Sequence, residues 1–513
     1  MTTHPRSVTL DGETLDIEGI WAIGCGAECA LAPAAIARME ASRRFVETAL
    51  ARGEVVYGVN TGFGKLATVR VAASDLDQLQ KNLIRSHACG VGEPLPMDVV
   101  RASMALRANV LSRGHSGVRP GTASQLVKLL NARVHPVIPS LGSVGASGDL
   151  APLAHVALVL IGEGQAEVDG HVVPGAEALH RRGLAPLRLA PKEGIALVNG
   201  TQVTAAIGAL AAREARTMLE TANVVGALSL DALRGSARAF DARMVEARPH
   251  PGAIRTAKLL SSLLEGSPII ESHKDCGRVQ DAYSLRCMPQ VHGAAWDALD
   301  HAWRVLSVEI NSSTDNPMVL AGDDGASVLA GGNFHGAPVG LVLDYLAIAL
   351  CQAASMSERR IERLCNPDLS DLPAFLVKDG GLNSGLMMAQ TTAAALVSEC
   401  KVLCHPASVD SIPTSANKED HVPMSTHASR KCRQVVDLFA HVLAIEALAA
   451  AQALDLLAPL RTSARLEGAR HAIRERIPYL ERDREVARDI SAALGLVRSG
   501  ELAGAAGVEV TVH

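Results

Sequence analysis

Residues 447–453 read ALAAAQA and lie within a long apolar stretch whose helical spacing runs from about 427 to 457. Small residues on more than one face indicate that this predicted helix is buried on several sides. The same texture predicts four further long helices, at about 201–235, 290–313, 337–364 and 386–403. Most of these exceed the average helix length and are typical of an elongated helical bundle. We therefore expect a mainly α fold, in which oligomerisation through the bundle buries the remaining apolar faces.

The first 198 residues have a different texture, in which shorter helices alternate with loops and extended pieces. Helical spacing predicts five helices there, at about 34–52, 74–88, 97–113, 121–132 and 150–161. Alternating polar and apolar pieces between residues 163 and 183 predict a small β-hairpin. The sequence thus predicts a mixed N-terminal domain over 1–198 and a long-helix domain over 199–513 that forms the oligomerisation core.

Composition limits the classes of function. The chain has 513 residues, of which 48% are hydrophobic, 20% charged and only 3% aromatic, and this balance indicates a large packed interior rather than disorder. The formal net charge of -5 and the lack of a Lys/Arg patch interleaved with aromatic residues argue against a nucleic-acid partner. A small-molecule partner is expected instead.

Secretion, membrane insertion and metal binding are also disfavoured. The N-terminal segment is polar without an apolar h-region, and the longest weakly charged stretch, 195–212, contains Asn199 and Gln202. Ten cysteines are too few for a disulfide scaffold, and no His-x-x-x-His or Cys-x-x-Cys pair supports a metal site. We therefore expect a cytoplasmic protein with no metal and no membrane segment.

The stretch GSVGASGDL at 142–150 holds Ala146, Ser147 and Gly148 just before an expected helix start at Asp149. Its plainest interpretation is a Gly/Ser-rich turn before a helix. A serine-hydrolase elbow is disfavoured, because it needs glycine two residues after the serine and Asp149 stands there. A phosphate-binding loop is disfavoured because Asp149 would repel phosphate from the helix start.

A fourth interpretation, internal cyclisation, gives each residue of this stretch a chemical reason. The amide nitrogen of Gly148 attacks the carbonyl carbon of Ala146 and closes a five-membered ring across Ser147. Glycine leaves the nitrogen unhindered and permits the dihedral angles of closure, and alanine keeps bulk away from the carbonyl. The Ser147 hydroxyl leaves as water to create a methylidene group, while Asp149 is placed to assist the proton transfers. The product is an electrophile, which no ordinary side chain provides.

Motifs along almost the whole chain resemble those of the aromatic amino acid ammonia-lyases, which build a methylidene-imidazolone (MIO) group from Ala-Ser-Gly. The resemblance is greatest to the members that act on histidine. Seven ordered motifs carry it: VYGVNTGFGK (56–65), SHACGVG (86–92), GSVGASGDL (142–150), LVNGTQ (197–202), QDAYSLR (280–286), GGNFHG (331–336) and EDH (419–421). It implies a carbon–nitrogen lyase that converts L-histidine to trans-urocanate and ammonia. The implied cofactor is an MIO made from Ala146, Ser147 and Gly148, with no external cofactor.

The resemblance also implies roles for residues of the QDAYSLR motif. Tyr283 matches the tyrosine commonly assigned as the base that takes the substrate β-proton, a role that requires a lowered pKa. Arg286 would bind the substrate α-carboxylate and, if the segment is helical, share a face with Tyr283. Gln280, on the same face, would contact the substrate or the ring oxygen. Without the family, a half-buried surface tyrosine and a surface ion pair are the ordinary interpretations.

Three further residues match family positions around the ring. Tyr57 belongs by resemblance to a mobile glycine-rich loop over the site, and a dinucleotide-binding interpretation of those glycines lacks the βα pattern that it needs. Asn199 matches the asparagine that holds the ring carbonyl, although a helix N-cap explains it equally well on spacing. Phe334 resembles the aromatic residue that lies against the ring, where a core residue is the plainer interpretation.

Substrate choice depends on His87 and Glu419, because phenylalanine and tyrosine lyases of the family generally differ at both motifs. A buried imidazole needs polar partners for its donor and its acceptor, and these residues supply them. The chain departs from the family beside Glu419, with Lys418 in place of the usual glutamine and Pro423 in place of the usual serine. An inward Lys418 would keep Glu419 ionised but repel a protonated substrate ring.

The resemblance finally implies an aspartase/fumarase-like helical bundle, a homotetramer, and active sites shared between subunits. Three alternatives stay open at this point. They are a tyrosine or phenylalanine ammonia-lyase or aminomutase, a serine hydrolase that uses Ser147, and a helical scaffold protein that has the fold but forms no ring.

Overall fold

The computed structural model describes residues 7–53, 61, 71–72, 75–274, 279–322 and 325–509. Helix accounts for 62% of it, which confirms the predicted mainly α class. The predicted lid loop with Tyr57 lies outside the described residues.

The elements of the described residues are numbered here in chain order. The α-helices are α1 Ile17–Gly24, α2 Pro33–Ala51, α3 Leu76–His87, α4 Met97–Ser112, α5 Pro120–Asn131, α6 Leu150–Leu160, α7 Gly175–Arg181, α8 Glu193–Val198, α9 Gln202–Ala232, α10 Ala242–Glu246, α11 Pro251–Leu264, α12 Pro268–Ser272, α13 Tyr283–Arg286, α14 Met288–Glu309, α15 Ala337–Cys365, α16 Pro367–Ser370, α17 Met387–Leu403, α18 Ser425–Leu456, α19 Ala464–Arg476, α20 Val486–Arg498 and α21 Glu501–Ala505. The strands are β1 Ser7–Leu10, β2 Glu28–Leu31, β3 Val91–Pro94, β4 His135–Pro136, β5 Pro139–Leu141, β6 Gln165–Val168, β7 His171–Pro174, β8 Met318–Gly322 and β9 Gly325–Leu329.

The five predicted long helices are confirmed as α9, α14, α15, α17 and α18, with ends that differ by a few residues. The five predicted N-terminal helices are confirmed as α2 to α6 in the same way. The stretch at 447–453 is buried along its whole length, as small residues on several faces predict. The sequence analysis did not anticipate α11, α19 or α20. In α19 only Leu466, Ala469, Ala472 and Ile473 are buried, so a narrow apolar stripe runs along a mostly polar helix.

The strands form small sheets. The predicted hairpin is confirmed as β6 and β7, which pair antiparallel with Gln165 opposite Pro174 and Val168 opposite His171. Its turn residues Asp169 and Gly170 have φ of 53° and 78°, the two left-handed conformations that an Asp-Gly type I′ turn requires. β4 extends this hairpin, β1 and β2 pair in parallel, and β3–β5 and β8–β9 are antiparallel pairs.

The chain divides into two compact units that alternate along the sequence. The first comprises residues 1–210, 303–343 and 406–430, and the second comprises 211–302, 344–405 and 431–513. The predicted boundary after residue 198 lies inside the first unit, and two segments assigned to the long-helix domain, 303–343 and 406–430, pack with that unit. The division at 198/199 as a folding boundary stays a prediction.

Two helices, α15 and α18, are long and apolar enough to cross a membrane by length and composition alone. However, 67% and 78% of their most apolar windows are buried inside the protein. Core helices of globular proteins pass the same test, and here the apolar side chains are used mainly in packing.

Candidate active site

The loop of residues 142–149 joins β5 to α6 in the first compact unit. Gly148 has a φ of 70° and forms an isolated bridge with Gly200, whose carbonyl accepts a hydrogen bond from the Asp149 amide at 2.7 Å. A Cβ added at residue 148 would lie 2.2 Å from the carbonyl carbon of Gly200. The position therefore requires glycine both for its left-handed backbone and for space.

A second close approach fixes the other side of this loop. Gly145 has a φ of 74°, and a Cβ there would lie 1.9 Å from the Ser425 hydroxyl. The Gly145 carbonyl accepts from the Gly336 amide at 3.0 Å, which ties the 331–336 segment to the loop. The half-buried Phe334 lies in that segment, so the structure brings its motif to the Ala-Ser-Gly loop. Its position against a ring stays a prediction.

Ser147 is held by two polar partners. Its hydroxyl donates to Glu419 Oε1 at 2.5 Å, and its carbonyl oxygen accepts from Asn199 Nδ2 at 3.0 Å. Asn199 follows α8 as its C-cap and lies before α9, so the alternative of an N-cap does not describe it. Three predicted site residues from distant motifs therefore meet at one place.

Glu419 is held in place by its neighbours. Its second oxygen, Oε2, accepts from Thr414 Oγ1 at 2.5 Å and Ser415 Oγ at 2.9 Å, and the Thr414 amide donates to the Glu419 carbonyl. The residues between them bend sharply, because Ser415, Ala416 and Asn417 have φ of 51°, 52° and 62°. Residues other than glycine are strained at such positive φ values, and backbone strain of this kind is concentrated at functional sites.

The electrostatics favour an ionised Glu419. Burial acts to raise the pKa of Glu419, but hydrogen bonds from Ser147, Thr414 and Ser415, together with the nearby His87, lower it below its ordinary value. Lys418 is exposed, and Pro423 is buried.

His87, the last residue of α3, is half-buried near Glu419. Burial lowers the pKa of His87, and the Leu83 carbonyl and Glu419 oppose that shift only in part. Its Nδ1 lies 2.8 Å from the Leu83 carbonyl oxygen, which can only accept, so Nδ1 carries the proton. The neutral ring therefore presents Nε2 as an acceptor.

Asp149 is completely buried, and among the described residues its carboxylate accepts only from uncharged donors. Oδ2 accepts from the Thr204 amide at 2.7 Å. Oδ1 accepts from the hydroxyls of Thr204, Thr426 and Ser143 at 2.7–2.9 Å. Asp149 is thus the N-cap residue of α6, but its side chain makes no capping hydrogen bond and instead ties the loop to α9 and α18. Its predicted part in proton transfer stays a prediction.

Behind the loop lies a group of buried charges that the sequence analysis missed. Arg107 Nη1 donates to the Asn199 carbonyl at 2.6 Å and to Gln202 Oε1 at 2.7 Å. Lys192 and Asp315 form an ion pair at 2.8 Å, with both side chains buried. These residues come from segments far apart in sequence and match no local pattern, so sequence spacing contains no signal for them.

The QDAYSLR residues belong to the second compact unit. Tyr283 and Arg286 form the ends of α13, and the Arg286 guanidinium lies 4.6 Å from the centre of the Tyr283 ring, so the predicted shared helical face is confirmed. Gln280 precedes the helix instead of lying on it, because α13 begins only at Tyr283. Tyr283 is 69% exposed. Their roles toward substrate stay predictions.

The residues of this loop meet the steric and hydrogen-bonding requirements of an MIO. Gly148 has no room for a side chain, Ala146 belongs to a buried cluster with Val422 and Met424, and the hydroxyl and carbonyl oxygens of Ser147 both have partners. Within the described ranges, no group of three His, Cys, Asp or Glu side chains is arranged to hold a metal ion.

Comparison with known proteins agrees with this geometry. A family model described as aromatic amino acid lyase matches residues 15–475. The chain belongs to the aromatic amino acid lyase family. Family relatives include the histidine ammonia-lyase of Anaeromyxobacter dehalogenans, 53% identical over 507 residues that cover 97% of this chain and 99% of the relative. The histidine ammonia-lyase of Myxococcus xanthus is 51% identical over 501 residues, with 98% of each chain covered.

Solved structures of the aromatic amino acid lyase family share the fold. Histidine ammonia-lyase from Trypanosoma cruzi has a TM-score of 0.91 and 43% identity, with 98% of this chain and 95% of that chain covered. Tyrosine aminomutase from Streptomyces globisporus has a TM-score of 0.93 and 38% identity, with 99% of each chain covered. The fold of this family therefore accompanies more than one reaction, and the side chains of the site must decide between them.

Proposed function

We propose that the chain removes ammonia from L-histidine and releases trans-urocanate. The observation that carries this proposal is the 2.5 Å contact between Ser147, in the ring-forming loop, and the Glu419 carboxylate next to His87. This contact brings the proposed site of the electrophile next to Glu419 and His87, two polar groups that can hydrogen-bond to an imidazole. The many relatives named histidine ammonia-lyase, at 51–54% identity, support the same substrate.

The reaction has two chemical obstacles, a poor leaving group and a β-proton that is scarcely acidic. An MIO formed from residues 146–148 supplies an electrophilic methylidene carbon for the first obstacle. Its formation needs the Gly148 nitrogen to attack the Ala146 carbonyl carbon, with loss of two water molecules in total. Asn199 holds the Ser147 carbonyl during and after closure, and the tight contact of Gly148 with Gly200 keeps the loop bent.

Glu419 and His87 recognise the substrate side chain. The Ser147 hydroxyl that now donates to Glu419 Oε1 is lost as water when the ring forms, which leaves Oε1 able to accept from a substrate ring N–H. Oε2 stays held by Thr414 and Ser415, so the carboxylate keeps its orientation. A phenyl ring has no donor for this half-buried carboxylate, and this disfavours phenylalanine as a substrate.

The remaining groups come from the QDAYSLR motif and the lid. Tyr283 takes the β-proton, Arg286 binds the α-carboxylate, Gln280 contacts the substrate or the ring, Tyr57 closes over the site and Phe334 lies against the ring. In a homotetramer these groups reach the loop from different subunits, which accounts for the 69% exposure of Tyr283 in a single chain. The enzyme works in the cytoplasm and needs no external cofactor.

The test of this proposal is Ser147→Ala, with Ser140→Ala in the preceding strand β5 as the matched control. Wild-type and control chains are expected to be lighter than the sequence mass by two water molecules and to convert L-histidine to a product with urocanate absorption. Ser147→Ala is expected to keep its fold and full mass, and to lose activity by about four orders of magnitude or more, because the electrophile cannot form. Wild-type turnover in that variant, or a wild-type chain of full sequence mass, would refute the proposal.

A further inference from the structure

Arg107, on α4, lies one residue layer behind the ring-forming loop and is completely buried. Its Nη1 holds both the Asn199 carbonyl and Gln202 Oε1. The same nitrogen would lie 2.8 Å from a Cβ placed on Gly200, and Gly200 packs directly against Gly148. The guanidinium therefore abuts the backbone that supports the loop.

The charge of Arg107 has no carboxylate of its own. Among the described residues, Nε and Nη2 of Arg107 have no hydrogen-bond partner, and Nη1 binds only uncharged oxygens. Asp315, which attracts Arg107 electrostatically, is already paired with Lys192 at 2.8 Å. The three side chains together carry one net positive charge. Burial lowers the pKa of Arg107 to about 10, so the guanidinium keeps its proton at neutral pH.

Such a charge is costly to bury. An unpaired buried charge loses its hydration without the Coulombic compensation that a buried ion pair provides. A purely structural need, to satisfy the Asn199 carbonyl and Gln202 Oε1, would be met by an uncharged donor. The position of Arg107 indicates a role for this charge at the Ser147 carbonyl. Arg107 binds the backbone carbonyl of Asn199, and the side-chain amide of Asn199 donates to the Ser147 carbonyl at 3.0 Å.

We propose that Arg107 is a positioning residue for the lyase reaction, which holds Asn199 on the Ser147 carbonyl and supports the electron-withdrawing side of the ring with a fixed positive charge. The inference rests on the proposed function, since it assumes that residues 146–148 close into a ring. The Ser147 carbonyl oxygen becomes the ring carbonyl, where negative charge accumulates when a nucleophile adds. A fixed charge acts strongly there because the surroundings are buried and weakly polarisable.

The test measures the reactivity of the ring without substrate. Cyanide adds through its carbon to the methylidene carbon and a proton is taken up from solvent, so the intact chain gains the mass of one HCN. The rate of this gain is compared in the wild-type protein and in Arg107→Lys and Arg107→Gln, after ring formation is confirmed by the loss of two waters. Arg107→Gln keeps a donor near the Asn199 carbonyl but removes the charge, and Arg107→Lys keeps the charge but loses the planar fork.

The expected order of addition rates is wild type, then Arg107→Lys, then Arg107→Gln. Direct loss of a preorganised donor costs about 10²–10³ in rate, so Arg107→Gln, one layer further away, is expected to react about 10- to 100-fold more slowly. Arg107→Lys is expected to recover part of that loss. If Arg107→Gln does not fold, the comparison depends on Arg107→Lys, with several-fold slower addition expected because one ammonium cannot hold both acceptors equally well.

Equal addition rates in wild type and Arg107→Gln would overturn the inference, and so would an Arg107→Lys protein no faster than Arg107→Gln. If only Arg107→Lys folds, wild-type reactivity in it overturns the inference. The matched control is Arg101→Gln, also buried on α4, whose guanidinium donates to the carbonyls of Ile23, Ala27 and Leu130. The control is expected to add cyanide at the wild-type rate once folded. A wild-type chain without the two-water deficit would instead sink the proposed function itself.

Discussion

Two fully buried arginines, Arg107 in the first compact unit and Arg360 in the second, differ in the charge of their hydrogen-bond partners. Arg360 forms two hydrogen bonds to Glu446, from Nε at 2.5 Å and from Nη2 at 2.9 Å. Ser229 and Ser357 donate to the same carboxylate, so it is well supplied with partners. Arg107 instead binds two uncharged oxygens. One arginine is neutralised where it lies, and the other is not.

The acidic side chains show the same contrast. Glu446 lies against a guanidinium, whereas Asp149, next to the Ala-Ser-Gly loop, accepts only from an amide and from hydroxyls in the part of the chain that the structure describes. A buried charge without a partner of opposite sign leaves its field available to whatever reacts nearby. Paired burial therefore serves the packing of the helices, whereas the unpaired charges lie beside the loop where we propose that the reaction takes place.

The largest effect on stability is expected from Glu446→Ala. It leaves the Arg360 guanidinium buried without its carboxylate, and breaking such a pair costs about 3–5 kcal/mol of the free energy of unfolding. Urea unfolding followed by circular dichroism measures this loss. The double change Arg360→Met with Glu446→Leu is the control, and it is expected to be near neutral, because well-packed apolar side chains replace both charges. An equally unstable double variant would contradict the assignment of the pair to packing.

A smaller effect is expected from Asp149→Asn. The single amide oxygen can replace Oδ2 opposite the Thr204 amide, but the NH2 group then replaces Oδ1, which accepts from three hydroxyls, and the loss of such buried hydrogen bonds costs about 1–3 kcal/mol of the free energy of unfolding. Slower ring formation, seen as incomplete loss of two waters, is expected as well. Full ring formation at the wild-type rate would exclude Asp149 from loop closure.

The same variant tests the sign of a pH effect. Burial raises the pKa of Asp149, against the hydrogen bonds that lower it, so the folded chain binds this proton more tightly than the unfolded chain does. Wild-type stability therefore contains a part that is present below the ordinary aspartate pKa and is lost as the pH rises through the raised one. Asp149→Asn lacks this part, which urea unfolding at a series of pH values measures.

The smallest effect on stability is expected from Thr414→Val. This change removes one hydrogen bond to Glu419 Oε2 and lowers the free energy of unfolding by about 1 kcal/mol. The pKa of Glu419 is lowered in the folded chain, so its stabilising contribution is present above the ordinary glutamate pKa and is lost as the pH falls through the lowered one. In Thr414→Val the acid limb of kcat/KM for L-histidine is expected to move to higher pH. Thr414→Ser, which keeps the hydroxyl, is expected to retain the wild-type profile.

Much of the fold could be predicted from local patterns. Helical periodicity identified the long helices because they are apolar on several faces, and polar–apolar alternation identified the hairpin, whose Asp169-Gly170 turn the structure then showed to be left-handed. The polar helix α19 was not predicted, because its stripe of buried apolar residues is too narrow to give a clear helical pattern. The interleaving of the two units was also out of reach, since periodicity shows which residues are buried but not which segments pack together.

The site divides in the same way. Ala146, Ser147, Gly148, Glu419 and Asn199 were identifiable because each stands in a recognisable motif, and the structure brings them together. Arg107 and Asp315 were not, because a buried charge and an exposed one look alike in a sequence. Thr414 and Ser415 precede Glu419 closely, yet their contact with it depends on the left-handed bend at 415–417, which ordinary residues rarely adopt.

The hydrogen bond from Ser147 to Glu419 joins residues 272 positions apart. During synthesis the Ala-Ser-Gly segment leaves the ribosome long before its carboxylate neighbour exists, and Gly336, which supports the same loop, also follows late. A nascent or truncated chain thus carries all the atoms of the electrophile without the surroundings that bend and polarise them. On the proposed function, ring closure is therefore expected only after most of the polypeptide has been made, so that incomplete chains would not carry a reactive carbon.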